Sequence, residues 1–166
     1  MSLKKRGLLS LVAASTLMLC SGLAFANNFE SVSATGFDED KNHRPENMID
    51  GNVKTRWAVN GLGNSATLKL KSDMKISNIV LIPFKPTERR LKFNLSTSTD
   101  NSTWTPLASG LETSDKYDKG EKFVLKTPRD ARYLKIDVNG TNANKWSALI
   151  EVDVNSNEAL PETTLP

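Results

Sequence analysis

The chain has 166 residues, with 22 Lys and Arg against 19 Asp and Glu, and it contains one Cys and one His. The net charge of +3 comes from Lys4, Lys5 and Arg6, and beyond residue 26 the basic and acidic residues balance. A neutral chain gives no support for nucleic-acid binding by bulk charge, and the lack of Cys beyond residue 26 excludes disulfides, thiol catalysis and cysteine metal sites there.

Residues 1–26 have the pattern of a secretory signal peptide. A basic start is followed by an apolar run that ends at residues 24–26 (AFA), a small-x-small sequence typical of cleavage sites. The sequence therefore predicts a secreted or periplasmic domain, long enough to form a core without disulfides. Cys20 raises the alternative of a lipid anchor, but Leu19 is bulky where lipoprotein signals have a small residue. No second apolar run is long enough to form a transmembrane segment.

The rest of the chain consists of short segments with the period of two that is typical of half-buried strands. Asp100 and Asn101 predict a hairpin turn before a strand that contains Trp104. Seven or eight such strands predict an all-β fold, an antiparallel β-sandwich over residues 27–155. The other predicted strands lie at residues 66–70, 76–84, 91–95, 121–126, 134–138 and 148–154.

The last residues, 156–166, show no periodicity. Pro161 and Pro166 stand among polar residues, which predicts a linker or a disordered tail. A linker would mean that the sequence is an excerpt of a longer protein, whereas a tail would be a frayed end. The pattern fits both interpretations.

An oxygen-rich loop is predicted within ENMIDGNVKTRWA, residues 46–58. Asp50, Asn52 and Thr55 stand close together around a glycine, and the stretch contains no His or Cys. Such oxygens suit a hard metal ion, but the same residues also suit a catalytic carboxylate or a tight turn alone. Trp57 is expected in the core, because Trp in such a strand more often packs between sheets than binds a ligand.

Four blocks of sequence, in the same order, resemble a known family. They are PENMIDGNVKTRW, FNLSTSTDNSTWTPL, ARYLKIDV and WSALIEVDV, which begin at residues 45, 93, 131 and 146. The series is similar to the F5/8 type C (discoidin) superfamily, which has a galactose-binding-like fold, and it looks most like the carbohydrate-binding modules of family 32. The resemblance covers residues 30–154 and implies a jelly-roll-like sandwich of eight strands that binds sugars at one end. Residues 63–74 depart from the family, whose corresponding strand is rich in aromatic residues.

The resemblance also implies a structural calcium ion in the oxygen-rich loop. The family binds this ion with an Asp-Gly-x-x-x-Thr-x-Trp segment and a Glu of the last strand. Ca²⁺ takes about six to eight oxygen ligands, and carbonyls and hydroxyls serve beside carboxylates. Without the resemblance, Asp50 and Gly51 fit an ordinary turn, Thr55 fits a strand residue, and Glu151 fits a solvated charge. The implied ligands are the side chains of Asp50 and Glu151, the hydroxyl and carbonyl of Thr55, and the main-chain carbonyls of Asn47 and Asn52.

Two polar loops are candidates for sugar contacts on the basis of the resemblance. Residues 35–47 hold His43, which matches a family His that bonds a sugar hydroxyl and which otherwise fits a solvated loop residue. Residues 139–148 hold Trp146, which suits either a stacking platform for a sugar ring or a plug at the end of the sandwich. The polar candidates in this second loop are Asn142 and Asn144.

A third candidate loop, residues 84–93, is rich in charge. Arg89 matches a family Arg that precedes the next strand, and a guanidinium suits paired hydroxyls or a uronate carboxylate. Glu88 and Arg90 are further candidates, although Arg90 and Lys85 also fit a solvated hairpin tip. The basic residues of this loop, Lys85, Arg89 and Arg90, favour an acidic glycan such as alginate.

The sequence shows no recognisable catalytic site. One His and no Cys beyond residue 26 exclude most nucleophilic arrangements, and no glycine-rich phosphate loop or zinc spacing occurs. The expected function is that of a non-catalytic module that targets a polysaccharide, alone or as the N-terminal part of a polysaccharide lyase or glycoside hydrolase. The alternatives are a discoidin-like adhesion module for a protein or lipid surface, and a spacer domain without a ligand.

Overall fold

The computed structural model describes residues 28–166, so the predicted signal peptide and Cys20 lie outside the described residues. Within that range no helix has the length and apolar character needed to cross a membrane. Residues 28–166 form eight strands and two short 3₁₀ helices, at Glu39–Lys41 and Pro45–Met48. The strands are β1 (Phe29–Ala34), β2 (Trp57–Asn60), β3 (Asn64–Pro83), β4 (Leu91–Ser98), β5 (Thr105–Glu112), β6 (Glu121–Thr141), β7 (Trp146–Val154) and β8 (Glu162–Leu165).

The two longest strands, β3 and β6, take part in both layers of a sandwich. The first half of β3 pairs with the second half of β6, and β1, β4 and β5 extend that layer. The second half of β3 pairs with the first half of β6, and β7, β2 and β8 extend the other layer. The eight-stranded, mainly antiparallel β-sandwich predicted from the sequence is thereby confirmed.

Four of the predicted strands prove to be parts of these two long ones. The segments predicted at 66–70 and 76–84 both belong to β3, and those at 121–126 and 134–138 both belong to β6. The middle of each long strand is exposed to solvent where the chain passes from one layer to the other. Polar residues there interrupt the apolar alternation, so the sequence pattern indicated two strands instead of one.

Apolar side chains from both layers meet between them. The rings of Phe93 in β4 and Phe123 in β6 pack edge to face, with centroids 5.2 Å apart and planes at 78°. Trp57 is fully buried, as predicted. Its indole N–H donates a hydrogen bond of 2.9 Å to the carbonyl oxygen of Gly36. This bond satisfies the polar atom of the buried ring and holds the loop after β1 against the start of β2.

The turn before β5 is longer than the predicted two-residue hairpin. β5 begins at Thr105, so Trp104 lies in the loop and not in the strand. Asp100 Oδ1 accepts hydrogen bonds of 2.8 Å from two main-chain N–H groups of this loop, which stabilise the wider turn. The Trp104 ring is covered by the ammonium group of Lys135, which lies 4.4 Å from the ring centroid.

The C-terminal segment ends in a strand, which differs from the predicted linker or disordered tail. β8 pairs in parallel with residues 122–125 of β6. Leu165 is buried and belongs to the hydrophobic core. The sequence signal was weak because Leu165 is the one apolar residue of this strand, which Pro161 and Pro166 flank. A strand of this kind depends on a partner that is distant in sequence.

Replacement of Leu165 by Ala should destabilise the domain. Leu165 is 1% exposed, and a buried Leu→Ala change costs about 2–5 kcal/mol. We expect about 2 kcal/mol, because β8 has only four residues and pairs with β6 alone among the described strands, so the site can collapse around the lost side chain. Urea unfolding of Leu165→Ala and of Thr164→Ala, an exposed neighbour in β8, measures the difference. Equal unfolding midpoints in the two variants would show that β8 does not contribute to the core.

Candidate functional site

The oxygen-rich loop after the second 3₁₀ helix lies against β7. The main-chain N–H of Asn52 stands between two carboxylates, 2.8 Å from Asp50 Oδ1 and 3.0 Å from Glu151 Oε1. The hydroxyl of Thr55 lies 2.8 Å from both Asp50 Oδ2 and the carbonyl oxygen of Asn52. The structure thus brings together four predicted metal ligands, although Glu151 is 99 residues from Asn52 in sequence.

The fifth predicted ligand, Asn47, forms hydrogen bonds to residues on both sides of this loop. Its side-chain amide donates hydrogen bonds to the carbonyl oxygens of Asn42, at 3.1 Å, and of Arg56, at 2.9 Å. These bonds connect the second 3₁₀ helix to the residue that precedes β2. They do not involve the main-chain carbonyl of Asn47, the atom implied as a ligand, whose role stays a prediction.

Glu151 is a buried acid that faces a second acid. Burial, with a hydrogen bond to Asp50 and its like charge, raises the pKa of Glu151 from 4.5 to about 8, while the main-chain N–H groups of Asn52 and Gly51 oppose this shift. No basic side chain in the described part of the chain forms an ion pair with either carboxylate. Two facing acids without a counter-cation favour a bound proton or a bound cation.

The atoms around these two acids are oxygens, which hard cations prefer as ligands. Residues 28–166 contain no cluster of three or more His, Cys, Asp or Glu side chains that could hold a metal ion. The oxygens beside Asp50 and Glu151 belong instead to the Thr55 hydroxyl and the Asn52 carbonyl, both of which are common calcium ligands. The residues present therefore fit the implied ion, whose presence stays a prediction.

A concave cleft of about 250 Å³ opens on the outer face of β2 and β7. Trp57 and Val59 of β2 point into the core, so Ala58, which lies between them, faces the other side of the sheet. Ala58 and Ala148 are partners across the β2–β7 pair, and their small side chains leave space at the floor. The walls of the cleft are formed by Asp38, Lys41, His43, Arg56, Phe84, Arg89 and Trp146.

Two guanidinium groups of the cleft lie over one aromatic ring. The guanidinium carbon of Arg56 is 4.0 Å from the centroid of Phe84, and that of Arg89 is 5.7 Å from the same centroid. Contact with a ring face attracts a guanidinium and restricts its orientation. Arg89 also lies 3.6 Å from the carboxylate of Glu88. Arg56, in contrast, has no ion-pair partner among residues 28–166.

His43 is oriented by the carboxylate of Asp38, the residue before the first 3₁₀ helix. Its Nδ1 lies 3.0 Å from Asp38 Oδ2, and both side chains are largely buried. A carboxylate at Nδ1 fixes the imidazole ring and favours the tautomer that carries its proton there. The opposite nitrogen, Nε2, is then left to accept a hydrogen bond from a ligand hydroxyl.

Arg90 and Asn142, two further predicted sugar contacts, are not among the lining residues of the cleft and bind each other. The main-chain N–H of Arg90 donates a hydrogen bond of 2.7 Å to Asn142 Oδ1. The Arg90 guanidinium lies 3.3 Å from the carboxylates of both Glu112 and Asp115. These contacts hold two neighbouring loops together and leave the charge of Arg90 neutralised.

Glu88 and Asn144 also shape the loops that carry cleft residues. Glu88 pairs with Lys85 at 2.9 Å and with Arg89, while Asn144 Oδ1 accepts a hydrogen bond of 3.0 Å from the main-chain N–H of Trp146. Of the predicted sugar contacts, His43, Arg89 and Trp146 line the cleft itself.

Four cleft residues were missed by the sequence analysis: Asp38, Lys41, Arg56 and Phe84. Arg56 had a usable signal, because it precedes the buried Trp57 and alternation places it on the outer face. Phe84 fell at the end of the strand predicted at residues 76–84, but β3 ends at Pro83 and leaves the ring half-exposed. The other two stand in a polar loop where nothing in the pattern marks them.

Glu151 predicts an unusual pH dependence of stability when no metal is bound. Its pKa is raised from 4.5 to about 8 by folding, so between about pH 5 and pH 8 the folded chain holds a proton that the unfolded chain releases. The free energy of unfolding should therefore fall as the pH rises through this window. Thermal melts in a chelator measure this slope.

Glu151→Gln should flatten that slope, because an amide does not titrate, whereas Asp118→Asn, a change of an exposed acid in the loop before β6, should retain it. The same slope in Glu151→Gln and in the unaltered chain would contradict the assignment.

The chain is similar to known protein domains. The F5/8 type C domain model matches residues 30–152. A pectin-binding carbohydrate-binding module is 46% identical with a TM-score of 0.80, and the match covers 83% of this chain and 98% of that one. The family 32 module of AlyQ, solved with 4,5-unsaturated mannuronic acid, is 30% identical with a TM-score of 0.70 and coverage of 76% and 94%.

A more distant neighbour supports the fold alone. The family 32 module of C. perfringens NanJ, solved with galactose, is 22% identical with a TM-score of 0.61 and coverage of 75% and 91%. No curated protein matched the sequence. The chain therefore belongs to the F5/8 type C domain family, and its structural neighbours include carbohydrate-binding modules of family 32.

Proposed function

We propose that the domain is a non-catalytic module that binds an acidic polysaccharide in the cleft between β2, β7 and the loop after β3. The observation that carries the proposal is Arg56, whose guanidinium lies 4.0 Å over Phe84 without a carboxylate partner in the described chain. A guanidinium held in a fixed plane can donate two parallel hydrogen bonds to a uronate carboxylate. Arg89, over the same ring, would provide a second donor.

The other cleft residues have complementary roles in this proposal. Trp146 provides an apolar ring face against which the C–H groups of a sugar can pack. His43, oriented by Asp38, would accept a hydrogen bond from a hydroxyl group. The small side chains of Ala58 and Ala148 let the sugar approach the sheet. Such a site combines a few placed polar groups with apolar surface, as ligand clefts commonly do.

The comparisons support the class of ligand. The module that binds pectin and the AlyQ module solved with an unsaturated mannuronic acid both handle uronic-acid sugars, and they are 46% and 30% identical to this chain. The higher identity leads us to place a pectin-type polymer before alginate. A truncated AlyQ structure joins such a module to alginate lyase domains, and this chain spans 31% of it. Tethering to a catalytic domain, after export by the predicted signal peptide, would raise the local concentration of substrate.

We also propose that a calcium ion occupies the oxygen-rich loop. Its five predicted ligands are Asn47, Asp50, Asn52, Thr55 and Glu151. The positive charge of the ion would offset the two facing carboxylates. The loop leads directly into Arg56, so an ion that fixes the loop also fixes one side of the cleft. The proposed role of the ion is structural, because none of these ligands is among the lining residues of the cleft.

Loss of either cleft arginine should weaken binding to de-esterified pectin. A hydrogen bond to a charged group contributes about 1.5–3 kcal/mol, so we expect Arg56→Gln and Arg89→Gln each to raise the dissociation constant about tenfold or more. Isothermal titration calorimetry measures this. Arg132→Gln is the matched control, because Arg132 has the same 26% exposure as Arg89 but pairs with Glu30, outside the cleft.

Equal affinities in all three variants would place the binding site elsewhere. Binding to liposomes in the absence of any polysaccharide binding would favour the adhesion alternative, and no ligand of either kind would favour a spacer domain.

Calcium should raise the melting temperature of the domain. An ion at 100 times its dissociation constant stabilises the folded state by about 2.7 kcal/mol. Asp50→Asn should abolish most of this shift, because it removes a charged ligand, whereas Asp118→Asn should keep it. Calorimetric melts in chelator and in calcium measure both. A melting temperature that does not respond to calcium in the unaltered chain would overturn the proposed ion.

A further inference from the structure

A second hollow, of about 410 Å³, adjoins the cleft. Trp146 and Asp38 line both spaces, so these two residues stand at the border between them. Asn60, the partner of Trp146 across the β2–β7 pair, lies in the second space alone. The two spaces are therefore adjacent, as the binding of successive units of one sugar chain would require. We name it the acidic hollow, and it is lined by Asp38, Glu39, Asp40, Asn60, Asn64 and Trp146 together with apolar residues.

The first 3₁₀ helix separates opposite charges between the two spaces. Lys41 lines the cleft, where Arg56 and Arg89 also lie. Glu39 and Asp40, the two preceding residues, line the acidic hollow, and no basic side chain is among its lining residues. Both acids are exposed, and neither forms an ion pair within residues 28–166. The acidic hollow therefore repels anions, whereas the cleft attracts them.

The amide groups of the acidic hollow suit hydroxyl groups. Asn60 is exposed on β2, and its side chain makes no hydrogen bond in the part of the chain that the structure describes. Asn64 is held in place, because its amide donates to the Gly61 carbonyl at 3.1 Å and its oxygen accepts from the Thr35 hydroxyl at 3.1 Å. Amides and carboxylates can both bond sugar hydroxyls, which are donors and acceptors at once.

We propose that the binding surface takes two adjacent sugar units of unlike charge, a free uronate in the cleft and an uncharged unit in the acidic hollow. The uncharged unit is a neutral sugar or a uronate whose carboxyl group is methyl-esterified. A second free uronate there would face Glu39 and Asp40, and like charges in contact are unfavourable. The inference rests on the proposed function, because the cleft must first hold a uronate. The module then selects a pattern of charge along the polymer and not the highest charge.

The test compares pectins that are de-esterified, partly methyl-esterified and fully esterified, by calorimetry on the domain of residues 27–166. We expect the partly esterified polymer to bind tightest, about fivefold tighter than the de-esterified one. The double variant Glu39→Gln/Asp40→Asn should remove this preference by improving binding to the de-esterified polymer. Asp118→Asn/Asp130→Asn is the control, because it removes the same two charges outside both spaces and should keep the preference.

The outcomes separate this inference from the proposed function. Tightest binding to the de-esterified polymer, with no change in the double variant, would overturn the inference and leave uronate binding in the cleft intact. No binding to any of the three polymers would overturn the proposed function itself. Equal gains in the double variant and its control would assign the effect to net charge and would also overturn the inference. A preference that persists at about 1 M salt, where the Debye length is about 3 Å, would exclude an electrostatic origin.

Discussion

The pairing of β3 with β6 is the interaction on which the rest of the structure depends. These strands are partners from residues 64 and 138 to residues 81 and 121. β1 and β7 pair with β3, while β4 and β8 pair with β6, so each layer is built outward from this one ladder. Apolar residues at both ends of the two strands lie in the same core, which fixes the register because a shift by one residue would turn them to solvent.

The two candidate sites occupy the side of the sandwich that β2 and β7 form. β7 pairs with β3 and carries both Glu151, which faces the oxygen-rich loop, and Trp146, which borders the cleft. β2 pairs with β7 and follows Arg56 directly. The loop between Asp50 and Thr55 therefore leads directly into an arginine of the cleft, and both sites share one strand. This connection explains how an ion without sugar contacts would still affect recognition.

The strands were predictable where burial alternates with exposure. The structure places His43, Arg89 and Trp146 in one cleft, and their contact with a sugar stays a prediction. The remaining cleft residues depend on contacts between distant segments. Arg56 and Phe84 lie 28 positions apart and meet only after β2 and β3 are in place. Arg90 and Asn142 have the residue types of sugar ligands, yet they bond to each other. Residue type predicts what a side chain can bind, whereas only the fold decides which partner it meets.

The local charge around the cleft also depends on where the charged residues lie and not on the net charge of the domain. Beyond residue 26 the chain has equal numbers of acidic and basic residues, so its composition contains no sign of an anion site. Within three consecutive residues, however, Glu39 and Asp40 line one space and Lys41 lines the next. A domain with bulk positive charge would attract every polyuronate in proportion to its charge, with strong dependence on salt. A neutral domain with a local basic cleft beside an acidic hollow would distinguish instead where the charges lie along the polymer, since attraction and repulsion would act on adjacent units.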